Sequence, residues 1–172
     1  MFRRLLAAIA LCLPLLAQAD ILADGVAAYE KKDYLKASEL LFPLAGQGDP
    51  KAQLYLGYMY FHGQGVKEDN SKAYEWFSKS AAKGNADAQY QLGYMYIFGF
   101  TGKDDPDPDL KGAEWYFKAA MQGHVEAQYT LAQMLLAGTG VIASREEAKK
   151  WFKRAADQGH QSAKESLQLL GK

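Results

Sequence analysis

The sequence predicts an all-α protein, a solenoid of tandem helix-loop-helix repeats, and three observations predict it. One phrase is written three times: Ala52-Gln53-x-x-Leu56-Gly57-Tyr58-Met59-Tyr60, Ala88-Gln89-x-x-Leu92-Gly93-Tyr94-Met95-Tyr96 and Ala127-Gln128-x-x-Leu131-Ala132-Gln133-Met134. Ala37, Ala73, Gly112 and Ala148 then advance by 36, 39 and 36 residues, and Trp76, Trp115 and Trp151 by the same 39 and 36. Each period closes on a glycine, at Gly84, Gly123 and Gly159, where a left-handed residue ends a helix. A period of this length belongs to arrays whose units each bury a face against the next.

Residues 1–19 read as a cleavable export leader. Arg3 and Arg4 precede an apolar run from Leu5 to Leu16, and Ala17-Gln18-Ala19 supplies the small-x-small cleavage site. The run is short for a membrane span, and no later segment reaches the roughly 18 apolar residues that suggest one. Cys12, the one cysteine, lies inside the leader, and Leu11 before it is not the small residue that precedes a lipidated cysteine. Cutting after Ala19 takes two of the 20 basic residues and none of the 20 acidic ones. The remainder has no excess of basic charge to offer nucleic acid. Without cysteine it holds itself together by packing alone.

Residues 20–48 read as a capping repeat with a tight turn, through Gly25, Tyr29, Asp33-Tyr34, Ala37 and Leu40-Leu41. Three full repeats follow, at 49–85, 86–124 and 125–160, the second with a three-residue insertion. Their first helices are expected at about 52–62, 86–98 and 125–137, and their second helices at about 71–82, 109–121 and 145–157. Asp69 and Ser144 stand as N-caps, and Ser144 with Glu147 as a capping box. Residues 161–172 restart the first-helix pattern through Ala163, as a helix that covers the end of the stack.

Ala-Gln-x-x-Leu-Gly-x-Met-Tyr, Gly63-Gln64-Gly65-Val66, Lys72-Ala73, Trp76-Phe77-x-Lys79 and the closing Gly84 resemble the Sel-like repeat (SLR) family, a branch of the tetratricopeptide superfamily. The pattern departs from the family at Phe100-Thr101-Gly102-Lys103, Gly112 and Ala132. The resemblance covers about Leu22 to the C-terminus. It implies a right-handed α/α superhelix and a role as adaptor or interaction module, often in exported bacterial proteins, and it implies no reaction.

Within each first helix, Leu56, Gly57, Met59 and Tyr60 and their counterparts are read as core. The free positions, spaced i, i+4, i+7, i+11, share another face that the superhelix turns into its concave groove. That face is Lys51, Tyr55, Tyr58, His62; then Asp87, Gln91, Tyr94, Phe98; then Glu126, Thr130, Gln133, Ala137. Tyr55, Tyr58, His62, Gln91, Tyr94, Phe98, Thr130 and Gln133 are the expected partner-binding residues, with Phe61 and Ile97 at the rim. A contiguous aromatic strip marks a partner site where scattered apolar residues do not.

Other motifs are weaker. Asp105, Asp107 and Asp109 alternate as in a calcium loop, but Leu110 stands where that loop needs Gly and Tyr116 where it needs Glu, so a solvated, proline-stiffened loop is expected. Ser80-Ala81-Ala82-Lys83 matches Ser-x-x-Lys, yet no Lys-Thr-Gly accompanies it, and other repeats fill its slot with Ala119 and Ala155. Some cysteine-rich relatives are associated with β-lactam binding or hydrolysis, and this chain lacks their cysteines. His124 and His160 are read as turn residues, too far apart to share a metal. The paired glycines 63 and 65, and 138 and 140, follow helices and cradle no phosphate.

The expected function is that of a non-catalytic interaction module, an adaptor, regulator or inhibitor, in the periplasm or secreted, gripping a peptide or helix of another exported or envelope protein in its concave groove. No cofactor, metal, nucleic acid or membrane span is expected. Peptidoglycan or another glycan stacked on the tyrosines stays open as an alternative, and a β-lactamase-like hydrolase as a more distant one; the oligomeric state is left undetermined.

Overall fold

The computed structural model describes residues 18–102 and 104–171. The expected leader thus lies outside the described residues, apart from Gln18 and Ala19. The described residues form helices joined by turns, with no strand: α1 (18–30), α2 (Tyr34–Gly46), α3 (Pro50–His62), α4 (Asn70–Ala82), α5 (Ala86–Ile97), α6 (Pro108–Met121), α7 (Val125–Ala137), α8 (Arg145–Asp157) and α9 (Gln161–Leu170). The contacts divide the chain into two compact units, residues 1–79 and 80–172.

Most expected helix ends hold within a residue. α3 begins two residues earlier than expected, because Asp49 caps it and Pro50 is preset for the first turn. α5 stops at Ile97, leaving Phe98 as the C-cap outside the regular helix. Asp69 caps α4 by accepting from Lys72 N–H at 2.9 Å. Ser144 caps α8 through Glu147 N–H at 3.3 Å, but the reciprocal half of the capping box is not made. Ser144 N–H donates instead to the Leu135 carbonyl at 2.8 Å, and the Glu147 carboxylate takes Lys150 at 2.6 Å.

In the first unit α2 packs on α3, and Ala37, Leu41, Ala45, Ala52, Leu56 and Met59 form the core. Phe77 of α4 is fully buried, and burying a ring of that size contributes about 1.5–3 kcal/mol. The repeat makes room for it with glycine: a Cβ on Gly57 would collide with the Phe77 ring. The device recurs as Gly25 against Leu41 at 2.8 Å and, in the second unit, Gly93 against Tyr116 at 2.7 Å. Tyr60, expected in the core, is half-buried, with Phe42 at 6.2 Å and Lys72 over its ring.

In the second unit α5 packs on α6, α6 on α7, α7 on α8 and α8 on α9. Ala113, Tyr116, Leu131, Met134 and Phe152 belong to its buried core. The departure at Gly112 is explained by Ile97, whose side chain comes within 2.6 Å of where a Cβ would stand. The glycine pairs are backbone fittings. Gly140, at φ +64, lies so close to the start of α6 that a Cβ would overlap the Asp109 carbonyl, and Gly65, at φ +71, sits in the same way against Tyr34.

Two further repeat letters acquire roles. The glutamine of each Ala-Gln pair is buried and donates to a carbonyl at the end of the preceding helix: Gln53 to Ala45 at 3.1 Å, Gln89 to Ala81 at 3.2 Å and Gln128 to Ala120 at 3.1 Å. Each of these carbonyls, past the reach of an i+4 helix bond, also accepts from the N–H of the glycine that closes the turn, Gly48, Gly84 or Gly123 at 2.9–3.0 Å, so the buried amide supplies its second bond in every repeat. The Lys or Arg three residues after each tryptophan lies over its ring: Lys79 on Trp76 at 4.1 Å, Lys118 on Trp115 at 3.8 Å and Arg154 on Trp151 at 4.4 Å.

Candidate functional site

Spacing of i, i+4, i+7, i+11 on a helix collects side chains on one stripe. All twelve positions of the expected face are exposed or half-exposed, and none is buried. The two units carry this face separately.

In the first unit Tyr55 and Tyr58 are half-buried and His62, at the end of α3, is exposed. Their rings follow one another along the helix, Tyr55 to Tyr58 at 6.2 Å and Tyr58 to His62 at 6.4 Å with planes 11° apart. Phe61 meets His62 at 5.0 Å. The strip is anchored from below: Tyr58 meets Phe77 edge-on at 5.4 Å, and Tyr55 meets Tyr29 at 4.9 Å. Tyr29 also touches Tyr34 at 5.4 Å and donates its hydroxyl to Gln64 Oε1 at 2.7 Å. Burial, with Tyr34, Tyr58 and Tyr55 beside it, pushes the Tyr29 phenol up to about 12. Tyr29 is thus the member of the strip that the helix-by-helix stripe omits, because it comes from α1.

In the second unit Tyr94, Phe98 and Phe100 gather, Tyr94 to Phe98 at 4.5 Å and Tyr94 to Phe100 at 6.0 Å. Beside them opens a pocket of about 340 Å³ lined by Ile97, Phe98, Tyr116, Thr130, Gln133 and Met134, with Ala137 and Thr139 at its end. Three of the expected residues, Phe98, Thr130 and Gln133, therefore meet at one cavity with the rim residue Ile97. Gln91 and Tyr94 lie on the same stripe but not in the cavity lining. The polar pair is held in place: Gln133 Nε2 donates to the Tyr129 hydroxyl at 3.1 Å, and Thr130 hydrogen-bonds Tyr90. Burial pushes the Tyr90 phenol up, with the charge of Glu126 adding to it.

Tyr90 and Tyr129 occupy a slot that reads Leu54 in the first repeat, and each stacks on a histidine. Tyr90 lies 4.7 Å from His124 with planes 15° apart, and Tyr129 lies 4.3 Å from His160 with planes 20° apart. The histidines, expected as turn residues, are N-caps. Nδ1 of His124 accepts from Ala127 N–H at 3.1 Å and Nδ1 of His160 from Ala163 N–H at 3.2 Å. Their Nε2 atoms face Asp87 at 3.4 Å and Glu126 at 3.2 Å, two members of the expected face. A cap needs an acceptor, so Nδ1 is bare and Nε2 carries the proton toward the carboxylate.

The weaker motifs resolve locally. Asp107 caps α6 through Leu110 N–H at 3.1 Å, and Asp105 accepts from Asp107 N–H at 3.1 Å. Two carboxylates of the acidic loop thus hold a turn and a helix end. Among the described residues no group of three or more His, Cys, Asp or Glu is placed to hold a metal. Ser80 is fully buried, in the slot of Ala119 and Ala155, which are buried as well. Among the described residues no helix is long and apolar enough to cross a membrane.

Paired helices in a repeating register, with a side-chain stripe left accessible on each first helix, define a helical repeat protein of the interaction-scaffold class. The Sel1 repeat model matches residues 50–85, 86–124 and 125–160. The chain belongs to the Sel1 repeat family. It is similar to a Sel1 repeat protein from Oxalobacter formigenes, with 32% identity over 87% of this chain and 59% of that one and a TM-score of 0.81. It is also similar to c5321, a protective antigen of uropathogenic Escherichia coli strains with an SLR fold, with 33% identity over 87% of this chain and 32% of that one and a TM-score of 0.79. The chain thus spans 59% and 32% of the lengths of these two proteins. Helicobacter pylori cysteine rich protein B shares the fold at 24% identity, covering 83% of this chain and 93% of that one with a TM-score of 0.55. No curated protein matches the chain. Sel1 repeat proteins are in general protein–protein interaction modules.

Proposed function

We propose that the protein is a non-catalytic binding module that takes a peptide or helix of an exported or envelope protein on the accessible stripe of its first helices. The observation that carries this reading is the cavity at Phe98, Thr130 and Gln133. An apolar wall beside oriented hydroxyl and amide groups suits one inserted side chain and its flanking peptide groups. In this reading Tyr55, Tyr58 and His62 offer a second aromatic contact, Gln91 and Tyr94 border the first, and no cofactor takes part.

The place of action in this proposal is the periplasm or the exterior, supported by Arg3, Arg4, the apolar run and Ala17-Gln18-Ala19. Sequencing the N-terminus of the protein recovered from the periplasm is expected to start at Asp20; a cytoplasmic chain that keeps its first residues would overturn the placement.

The binding test is a photo-crosslinker at Gln133, with the adduct identified by mass spectrometry. One protein adduct is expected, and Phe98→Ala is expected to reduce it at least fivefold with the melting temperature little changed. Half-exposed tyrosine rings at 55 and 58 favour a second reading, a glycan such as peptidoglycan stacked on them. Sedimentation with purified cell wall, lost on Tyr58→Ala, would support that reading over the first. Turnover of a reporter β-lactam by the purified protein would overturn both.

A further inference from the structure

Equivalent positions of the second helices can be compared repeat by repeat, since the 39- and 36-residue steps bring them into register. Three positions in one stripe read Ser71, Ser78 and Ala82 in α4, and Glu146, Lys153 and Asp157 in α8. In α6 they read Leu110, Phe117 and Met121, and these side chains are 41%, 49% and 59% exposed. In α2, the fourth helix in this register, the same positions read Leu35, Phe42 and Gly46, and α4 and α8 carry no large apolar residue at any of the three, so the repeat itself does not require them. Three large apolar groups at i, i+7 and i+11 form one ridge along the helix.

A groove of about 540 Å³ runs beside this ridge, within the same unit. Its floor and far wall are Ala113, Leu131, Leu135, Val141 and Trp151, and Phe117 meets Trp151 edge-on at 6.0 Å. Its charged members are Glu114 and Lys118 on α6 and Glu147 on α8. Ile142, next to Val141, is 93% exposed at the edge. Leu110 and Phe117 form the near wall of the groove, and a ridge that borders a groove is self-complementary: a second helix bearing the same ridge fits the groove while offering its own.

The charges choose between occupants. On α6 the midpoint of Glu114 and Lys118 almost coincides with the midpoint of Leu110 and Met121. A two-fold axis through that point, with the two α6 helices antiparallel, sets Glu114 against Lys118 of the second copy and Leu110 against Met121 of the second copy. Both charged groups are exposed along the ridge, and antiparallel helix dipoles add to the attraction. We propose that the α6 ridge and the groove between α6 and α8 form a homodimer interface, in which α6 of one copy lies antiparallel in the groove of the other. This face is distinct from the first-helix stripe, so a dimer leaves that stripe free.

Sedimentation equilibrium of the native protein from micromolar to near-millimolar concentration tests the proposal. A reversible dimer is expected, and Phe117→Glu is expected to weaken it at least tenfold, with helix content by circular dichroism unchanged. If Phe117→Glu fails to fold, Met121→Lys, the most exposed ridge position, supplies the same test. Glu114→Lys and Lys118→Glu are each expected to weaken the dimer severalfold, and the double swap to return it to within about threefold of wild type. A monomer throughout the range overturns the proposal, even if a different protein is captured on this face. So does a dimer indifferent to both ridge variants, or one that the double swap does not restore.

Discussion

In the unit of residues 1–79 helices begin on carboxylates: Asp33, Asp49 and Asp69 accept the backbone N–H groups of Lys36, Ala52 and Lys72. In the unit of residues 80–172 α7 and α9 begin on the imidazoles of His124 and His160, each stacked on a tyrosine. The buried glutamines differ as well. Gln89 and Gln128 accept from Gln122 at 2.7 Å and Gln158 at 2.8 Å, whereas Gln53 Oε1 is buried without a partner. The repeat asks only for an acceptor at each helix start and a donor at each helix end. What else those groups touch is set unit by unit, and there the two halves diverge.

The largest expected effect breaks a feature both units share. Gly140→Ala combines a left-handed backbone with a collision against main chain, and is expected to cost about 3 kcal/mol or more by thermal unfolding. Gly84→Ala meets nothing within 4 Å and pays only the left-handed conformation, about 1 kcal/mol. Equal losses at the two sites would remove close approach as the cause.

The glutamines sharpen the contrast. Gln128→Leu removes the side-chain donor of the Ala120 carbonyl, which keeps Gly123 N–H, and deprives Gln158 of its acceptor, for about 2 kcal/mol, while Gln53→Leu also removes an unsatisfied oxygen and should cost about 1 kcal/mol less. Chemical denaturation of the two variants measures the gap, and a larger loss at Gln53 would show that its oxygen is well served after all.

The caps come next. His160→Ala is expected to cost about 1 kcal/mol, and His160→Asn to recover most of it, since asparagine restores the acceptor but not the stacked ring. Amide exchange at Ala163 reads this directly. Full recovery would mean that the Tyr129 contact adds nothing to stability.

The smallest effects are titrations, and they have opposite signs. The Tyr29 phenol is raised in the folded chain, so an unfolded chain loses this proton first. Its contribution is whole below about pH 10 and falls as pH rises toward about 12. Tyr29→Phe should flatten that alkaline decline. Backbone hydrogen bonding from Lys72 holds the Asp69 carboxyl below the usual carboxylate range. Its contribution is present above that range and lost as pH falls through the lowered value. Asp69→Asn should remove a small part of the acid sensitivity and leave the alkaline side unchanged.

Much of this was legible in the letters. The recurrence of Ala-Gln-x-x-Leu-Gly-x-Met located the first helices, Gly57 and its counterpart Gly93 were read as core, and Asp69 and Ser144 were recognisable caps. His124 and His160 were not, since histidine caps far less often than Asp, Asn, Ser or Thr and the tyrosines that hold their rings stand more than 30 residues away. The cavity escaped for a similar reason: Phe98 and Gln133 share a stripe position, but only the packing of helices from two repeats shows that they border one space. Tyr29 was visible as a cap-repeat residue and not as part of the aromatic strip, because α1 obeys a shorter spacing.

By itself the sequence determined the helices, their period, the turns and most of the buried register, Tyr60 excepted, because those follow from local backbone preference and from apolar spacing along one helix. The tertiary structure alone decided which glutamines are satisfied, which histidines cap and stack, and where accessible side chains enclose a cavity. Those properties depend on distances between atoms of different helices, and no spacing within one helix specifies such a distance.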